Sequence, residues 1–165
     1  MKLNLGCGNS IKNGFLGVDN VLCNAAQVLA DITTLPFKDT SIDEVFMDNI
    51  IEHIQDIPSL MQELHRICIQ NARITIRTPH FASADSWIDP THIHHFSCFS
   101  MDHFEKKEAA HYTGGGFKVI EKRLSFGGIS GNIGKLLYKI SPGTYEKKWC
   151  YIFRPGTITF ILQTV

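Results

Sequence analysis

The amino-terminal stretch Leu3-Asn4-Leu5-Gly6-Cys7-Gly8-Asn9-Ser10 is the most informative part of the sequence. A short apolar run that ends at two glycines predicts a first β-strand leading into a glycine turn. Glycines in such a turn let the backbone approach a ligand closely and leave amide groups free to bind it. The spacing argues against two common nucleotide motifs. Ile11 stands where a dinucleotide-binding motif has its third glycine, and no Gly-Lys-Ser/Thr follows.

Acidic residues follow the next predicted strands, which cover 15–19, 28–31 and 42–47. Asp19 and Asp31 end two of these strands, and Asp48-Asn49 follows the third. Ligands of open α/β sheets bind beyond the carboxyl ends of the strands, so these residues and the glycine turn fit one adenosine-like ligand. The alternative interpretation is that they are ordinary polar loop residues.

The remaining pattern predicts a single α/β domain over residues 1–165. An apolar stripe over 60–68 predicts a helix that Asp56 caps, and alternation over 73–77 predicts a fifth strand. Strands alternating with helical or loop connections favour a parallel sheet covered on both faces. Two strands are predicted near the carboxyl terminus, at 118–126 and 157–165. Between them, 128–150 is predicted to be a helical insertion, either a lid or a helix packed on the surface.

Composition narrows the function classes. The 165 residues contain 16 basic and 16 acidic residues, which disfavours a general nucleic-acid binder. Five cysteines without a C-x-x-C pair argue against a disulfide framework or a structural zinc site. No apolar run approaches the roughly 18 residues of a membrane span, so we expect a cytoplasmic protein.

Charge is unevenly distributed along the chain. Residues 1–100 carry 6 basic and 11 acidic residues, whereas residues 101–165 carry 10 basic and 5 acidic residues. The distribution indicates either two differently solvated faces or a basic edge that meets an anionic substrate or a membrane surface.

The order of these motifs resembles the class I S-adenosylmethionine-dependent methyltransferases, in particular a small type-11-like group that starts with L-x-L-G-C-G. The matching stretches are 3–10, 14–20, 30–37, 41–45 and 50–54. The resemblance implies a Rossmann-like sheet of seven strands with an antiparallel last strand and helices on both faces, from which we expect this chain to depart by a shortened N-terminus. It also implies S-adenosylmethionine as methyl donor.

The resemblance further implies which residues bind the donor. Gly6, Cys7 and Gly8 would hold the methionine part of the donor, and Asp19 would hold its ribose. Asp31 and Ile32 would face the adenine. Asn49 and His53 would lie beside the donor after the fourth strand.

Six of the eight histidines lie between positions 80 and 111, most densely in the segment 89–97. His92 or His94 could act as a general base, because an imidazole titrates near neutral pH. The same segment could instead bind a metal or only order its own loop. The metal ligands would come from His92, His94, His95, Asp85 and Asp89.

The predicted function is methyl transfer to a small-molecule or sugar-type acceptor, without a resident metal and without nucleic acid as partner. Two departures from the family pattern favour a non-catalytic binding module as the alternative. Asn4 stands where family members often have an acid, and only six residues separate Gly8 from Phe15. A metal-dependent hydrolase that uses the histidines is the third interpretation.

Overall fold

The computed structural model describes residues 1–105 and 116–165. Within them, a seven-stranded sheet has the order β3-β2-β1-β4-β5-β7-β6. Only β7 runs antiparallel to its neighbours, which confirms the expected topology. The strands are β1 (Lys2–Leu5), β2 (Leu16–Asp19), β3 (Val28–Leu29), β4 (Ile42–Asp48), β5 (Cys68–Pro79), β6 (Phe117–Leu124) and β7 (Thr157–Thr164).

The helices occupy the connections after β4. They are α1 (Ile57–Ile67), α2 (Asp85–Ile88), α3 (Gly128–Ile140) and α4 (Pro142–Thr144). A π-helical turn (Tyr145–Trp149) follows α4 directly. Two 3-10 turns cover Ile51–His53 and Ser100–Phe104. As predicted, α1 begins after Asp56, whose carboxylate accepts a hydrogen bond from the Ser59 amide at 3.0 Å. Within residues 1–105 and 116–165, no helix is both long enough and apolar enough to cross a bilayer.

The hydrophobic core lies on one face of the sheet. The register places Leu3 beside Val45 of β4, and Val45 beside Ile74 of β5, and all three are fully buried. The apolar face of α1, which includes Leu60 and Leu64, joins the same core. This face therefore carries the apolar packing that stabilises the domain.

The opposite face of the central strands carries charged side chains. Arg73 and Arg77 of β5 are exposed there. Arg77 forms an ion pair with Asp48 across the strands, and Glu44 pairs with Lys2 at 2.7 Å. The short connections from β1 to β4 contain no α-helix.

The connection between β1 and β2 is held by polar contacts. Gly6 and Gly8 have positive φ values of 62° and 51°, which turn the chain sharply. The buried Asn4 side chain donates a hydrogen bond from Nδ2 to the carbonyl oxygen of Ser10 at 2.9 Å. This amide therefore has a structural use, since a carboxylate at the same place could not donate to a carbonyl.

A buried pair of ionisable side chains ties the segment after α3 to the end of β5. His80 is fully buried and its Nδ1 accepts from the Ala82 amide at 3.1 Å, so Nε2 carries the proton. That Nε2 donates to Glu146 Oε1 at 3.1 Å, and the Cys98 amide donates to the same oxygen at 2.7 Å. Burial by itself would raise the pKa of Glu146, but these hydrogen bonds outweigh it and lower the pKa.

We expect Asn4→Asp to lower the free energy of unfolding by about 1–3 kcal/mol at neutral pH, because it sets a buried carboxylate against the Ser10 carbonyl. The deficit should shrink in acid, where the protonated carboxyl can donate again. Urea unfolding measures both effects, with the exposed Asn13→Asp as matched control. Equal stability of the two variants would contradict the assigned hydrogen bond.

We expect Glu146→Gln to cost about 1–2 kcal/mol of unfolding free energy near pH 7, because it removes charge from two buried hydrogen bonds. The folded-state pKa of Glu146 is lowered, so its contribution is present above the unfolded value of about 4.3 and is lost as pH falls through the folded pKa. The difference from wild type should therefore narrow in acid. Unfolding curves across this range test it, with the exposed Glu105→Gln as control. A deficit that stays constant with pH would refute the role of the charge.

Candidate active site

A cavity of about 580 Å³ opens beyond the carboxyl ends of the first four strands. Its walls come from the glycine turn after β1, the ends of β2 and β3, and the segment that follows β4. The lining residues are Gly6, Asp19, Asn20, Asp31, Ile32, Thr33, Ile50, His53, Ile54, Gln55 and Asp56. A cavity of this size is in the range that holds cofactor-sized ligands.

Five of the eight predicted donor-binding residues line this cavity, namely Gly6, Asp19, Asp31, Ile32 and His53. The other three, Cys7, Gly8 and Asn49, are not in its walls. Cys7 is buried, and burial together with the neighbouring Cys23 raises the pKa of its thiol to about 11. The amide of Asn49 donates to the Arg77 carbonyl at 2.8 Å, and its φ of 53° turns the chain after β4.

Asp19 holds the glycine turn in place. Its Oδ2 accepts from the Gly8 amide at 2.8 Å, and its Oδ1 accepts from the Val21 amide at 3.1 Å. Each carboxylate oxygen has a further lone pair, so both oxygens can still accept a ligand hydroxyl. Gly6 also has no room for a side chain, because a Cβ there would overlap Ile50.

Asp31 and Ile32 form the part of the cavity that follows β3. Asp31 Oδ1 accepts from the Thr33 amide at 2.8 Å and the Thr33 hydroxyl at 2.7 Å, and these bonds lower the pKa of Asp31. The carboxylate is therefore anionic at neutral pH and is held in one orientation. Ile32 is buried and provides an apolar wall beside it.

Glu52 connects the histidine segment, residues 89–97, to the turn after β4. Its backbone carbonyl accepts from the amides of Ile93 and His94 at 3.0 and 3.2 Å. Its side chain is 1% exposed, and Oε2 accepts from the Thr78 hydroxyl at 2.9 Å. One residue thus connects β5, the turn after β4 and the histidine segment.

The second carboxylate oxygen of Glu52 faces His92. This oxygen, Oε1, is buried and has no hydrogen-bond partner among the described residues. His92 Nδ1 lies 3.2 Å from the Ser86 carbonyl, which can only accept, so Nδ1 carries the proton. The free lone pair is then on Nε2, which lies 3.9 Å from Glu52 Oε1. Burial raises the pKa of Glu52 despite the hydrogen bond from Thr78.

His53 presents one ring nitrogen toward the histidine segment. Its Nδ1 donates toward the Thr91 carbonyl at 3.2 Å, and its ring packs edge-on against His92 at 4.7 Å between centroids. Because the Thr91 carbonyl fixes the tautomer, Nε2 of His53 is left as an acceptor. His53 therefore joins the cavity wall to the histidine segment.

A second cavity of about 410 Å³ adjoins the first, and Gln55 lines both. Its other lining residues are Ile57, Pro58, His94, His95, Phe96, Ser100, Met101, His103 and Phe104. His94 Nε2 is buried and has no partner within residues 1–105 and 116–165. The second cavity thus combines apolar walls with the side chain of His94, whose buried Nε2 has no partner among the described residues.

The structure separates the two histidines predicted as bases. His94 lines the second cavity, whereas His92 faces Glu52 and lines neither cavity. His95 also lines the second cavity, where it stacks on Trp87 at 3.7 Å between ring centroids. His111 lies outside the described residues.

Two groups of side chains in the described ranges have ligand types and spacing compatible with a metal ion. They are Cys7, Asp19 and Cys23, and Glu52, His53 and His92, with ligand atoms within 4.8 Å of one another in each group. Of the residues considered from sequence as metal ligands, only His92 belongs to either group.

Glu52 and Gln55 are two residues of the site to which the sequence analysis assigned no role. The sequence does contain a signal for Glu52, because an acid inside the apolar run Ile50-Ile51-Glu52-His53-Ile54 indicates a buried carboxylate. Gln55 gave no comparable signal, because its position between two cavities depends on segments far apart in the chain.

Known proteins resemble this chain in sequence and in fold. Residues 7–76 match the family model of a methyltransferase domain. A 2-phytyl-1,4-naphtoquinone methyltransferase from Nostoc sp. is 40% identical over 53 residues, which cover 32% of this chain. That match spans 23% of the relative's length.

Solved structures share the fold over almost the whole chain. A SAM-dependent methyltransferase from Archaeoglobus fulgidus superposes with a TM-score of 0.65 at 18% identity, covering 99% of this chain and 85% of that one. The cyclase SpnF superposes with a TM-score of 0.62 at 12% identity, covering 99% of this chain and 73% of that one. The strand order and these superpositions show that the chain has the fold of the class I S-adenosylmethionine-dependent methyltransferases, and residues 7–76 are similar in sequence to a methyltransferase domain.

Proposed function

We propose that the protein transfers a methyl group from S-adenosylmethionine to a small-molecule acceptor. The observation that carries this proposal is the pair of adjoining cavities: one is lined by Asp19 and Asp31, the other by the unpartnered His94, and Gln55 lies between them. Two substrates that react with each other need neighbouring binding sites, and a shared wall residue brings these two cavities close together.

The first cavity has the groups that S-adenosylmethionine requires. Asp19 would accept the ribose hydroxyls, and Ile32 would contact the adenine beside Asp31. The backbone of Gly6 would hold the methionine part, together with the neighbouring Cys7 and Gly8. His53 and Asn49 would lie beside the donor on the β4 side. The orientation of Asp19 by two backbone amides prepares the ribose site before the ligand arrives.

The bound donor supplies a methyl group already activated on a sulfonium, so the chain's own work is alignment, exclusion of water and removal of a proton. His94 Nε2 would take the proton of an acceptor hydroxyl in the second cavity. His92 would act through Glu52 to hold the histidine segment in place, since it does not reach that cavity.

The acceptor is proposed to be a small and largely apolar molecule with a hydroxyl group. Phe96, Met101 and Phe104 supply apolar wall to the second cavity. The naphthoquinone named for the Nostoc relative makes naphthalene-1,4-diol a suitable first probe, and simple glycosides test the sugar-type alternative. That nucleic acid is not an acceptor and that the protein is cytoplasmic both remain predictions.

A non-catalytic binding module is the competing function. The structural use of Asn4 weakens one argument for it, because the amide supports the β1–β2 connection. The likeness to a cyclase shows that the fold alone does not fix the reaction.

We expect Asp19→Ala to weaken binding of S-adenosylhomocysteine by about 5- to 150-fold, which corresponds to about 1–3 kcal/mol for a lost polar partner in a buried site. Isothermal titration calorimetry measures it, with Asp43→Ala as control at the amino end of β4. Unchanged affinity in folded Asp19→Ala would remove Asp19 from the donor site.

The same titration in the presence of a chelator tests the metal alternative. Donor binding should be unchanged by the chelator. Loss of binding on chelation, together with one metal ion bound per chain, would favour the group of Glu52, His53 and His92 as a functional metal centre.

We expect His94→Asn to lower kcat by about 10²- to 10⁴-fold, the range for loss of a general base, and to leave the affinity for S-adenosylhomocysteine unchanged. Turnover is followed as S-adenosylhomocysteine release with naphthalene-1,4-diol and with glycosides. The exposed His65→Asn on α1 is the control. Full activity of His94→Asn would show that the acceptor needs no base at this position.

A further inference from the structure

The outward side of α3 exposes a continuous stripe of large aliphatic side chains. Ile129 is 90% exposed and Ile140 is 71% exposed, and Ile133 and Leu136 between them are about half exposed. At 3.6 residues per turn, these four side chains fall within about 60° of the helix circumference. A soluble helix normally turns such a stripe toward the core.

The stripe cannot turn inward, because the other side of α3 is already packed. Gly131 and Gly134 are buried against Phe126, and a Cβ at Gly134 would also crowd Phe153. On the same side, Tyr138 donates toward the Lys122 carbonyl of β6. The aliphatic stripe therefore lies opposite the packing face and has no partner within the described part of the chain.

Basic and aromatic residues are frequent in α3 and in the segment that follows it. Residues 128–154 contain five basic residues and one acid, and that acid, Glu146, is buried against His80. The basic residues are Lys135, Lys139, Lys147, Lys148 and Arg154. The segment packed beside α3 adds exposed Trp149, Tyr151 and Ile152. Aliphatic, aromatic and basic side chains in this combination are typical of helices that lie in a membrane interface.

We propose that this surface, the α3 patch (the four aliphatic residues of α3 with Tyr151, Ile152 and the five basic residues), docks on an anionic lipid bilayer. The aliphatic stripe would enter the boundary between headgroups and acyl chains. The lysines would reach the anionic headgroups from its flank, because their long stems let the charge stay in water. Charge complementarity selects the occupant, since all five unburied charges of the patch have the same sign.

The α3 patch is linked to the second cavity through aromatic contacts. The Tyr151 ring packs edge-on against Phe81 at 5.7 Å, and Trp87 Nε1 donates to the Phe81 carbonyl at 2.8 Å. Trp87 in turn stacks on His95, which lines the second cavity. Docking would hold that cavity close to the lipid, and a lipid-soluble acceptor could enter from it. This last step rests on the proposed function, whereas docking itself does not.

Vesicle co-sedimentation tests the docking. The full chain is mixed with vesicles of phosphatidylcholine alone or with about 30% phosphatidylglycerol. We expect binding to the anionic vesicles, and weaker binding when salt is raised from about 0.1 to 0.5 M. Ile129→Asp/Ile140→Asp and Lys135→Glu/Lys139→Glu should each weaken binding at least about tenfold. Ile11→Asp and Lys38→Glu, exposed residues outside the patch, are the matched controls and should bind as wild type.

Three outcomes would overturn the proposal. They are no binding of the folded wild type to anionic vesicles, equal loss of binding in patch and control variants, and a wild-type dimer that Ile129→Asp/Ile140→Asp dissociates while vesicles bind neither form. The last outcome would assign the patch to a second copy of the chain. Titration of every variant with S-adenosylhomocysteine separates this test from the proposed function, because donor affinity should be the same in all of them.

Discussion

The geometry of the site depends on the burial of Glu52. Its backbone carbonyl receives two amides of the histidine segment, and its carboxylate receives the hydroxyl of Thr78 on β5. Because a buried carboxylate that loses such partners is costly, the three segments are held together in one arrangement. The relative position of the two cavities follows from it, since Gln55 lies three residues further along the chain and lines both.

Local chemistry made much of the fold predictable. The glycine turn after Leu5, the cap at Asp56 and the β-branched alternation around Ile74 and Ile76 each act within a few residues, so the sequence displays them directly. The arrangement of the site is different in kind. Contacts such as that between Glu52 and His94 join residues about 40 positions apart, and no local pattern reports which distant segment will fill a given space.

The exposed sheet face shows how one pattern supported two conclusions. Arg73-Ile74-Thr75-Ile76-Arg77 alternates, which correctly predicted a strand. Alternation also indicates that one side of the strand meets water, whereas a strand covered on both sides reads as continuously apolar. The expectation of cover on both faces came from the alternation of strands with helical or loop connections and from the resemblance, whereas this local alternation places Arg73 and Arg77 on a side that meets water. The short connection from Gly8 to Phe15 agrees with this local signal, because its six intervening residues leave almost no room for a helix.

A sheet with apolar packing on a single face also has thermodynamic consequences. Unfolding exposes less apolar surface than it would in a three-layer domain of equal length, so the heat-capacity increment per residue should be smaller. A smaller increment flattens the dependence of the unfolding free energy on temperature. The domain would then keep a modest but nearly constant stability over a broad range of temperature, with cold denaturation shifted further below freezing.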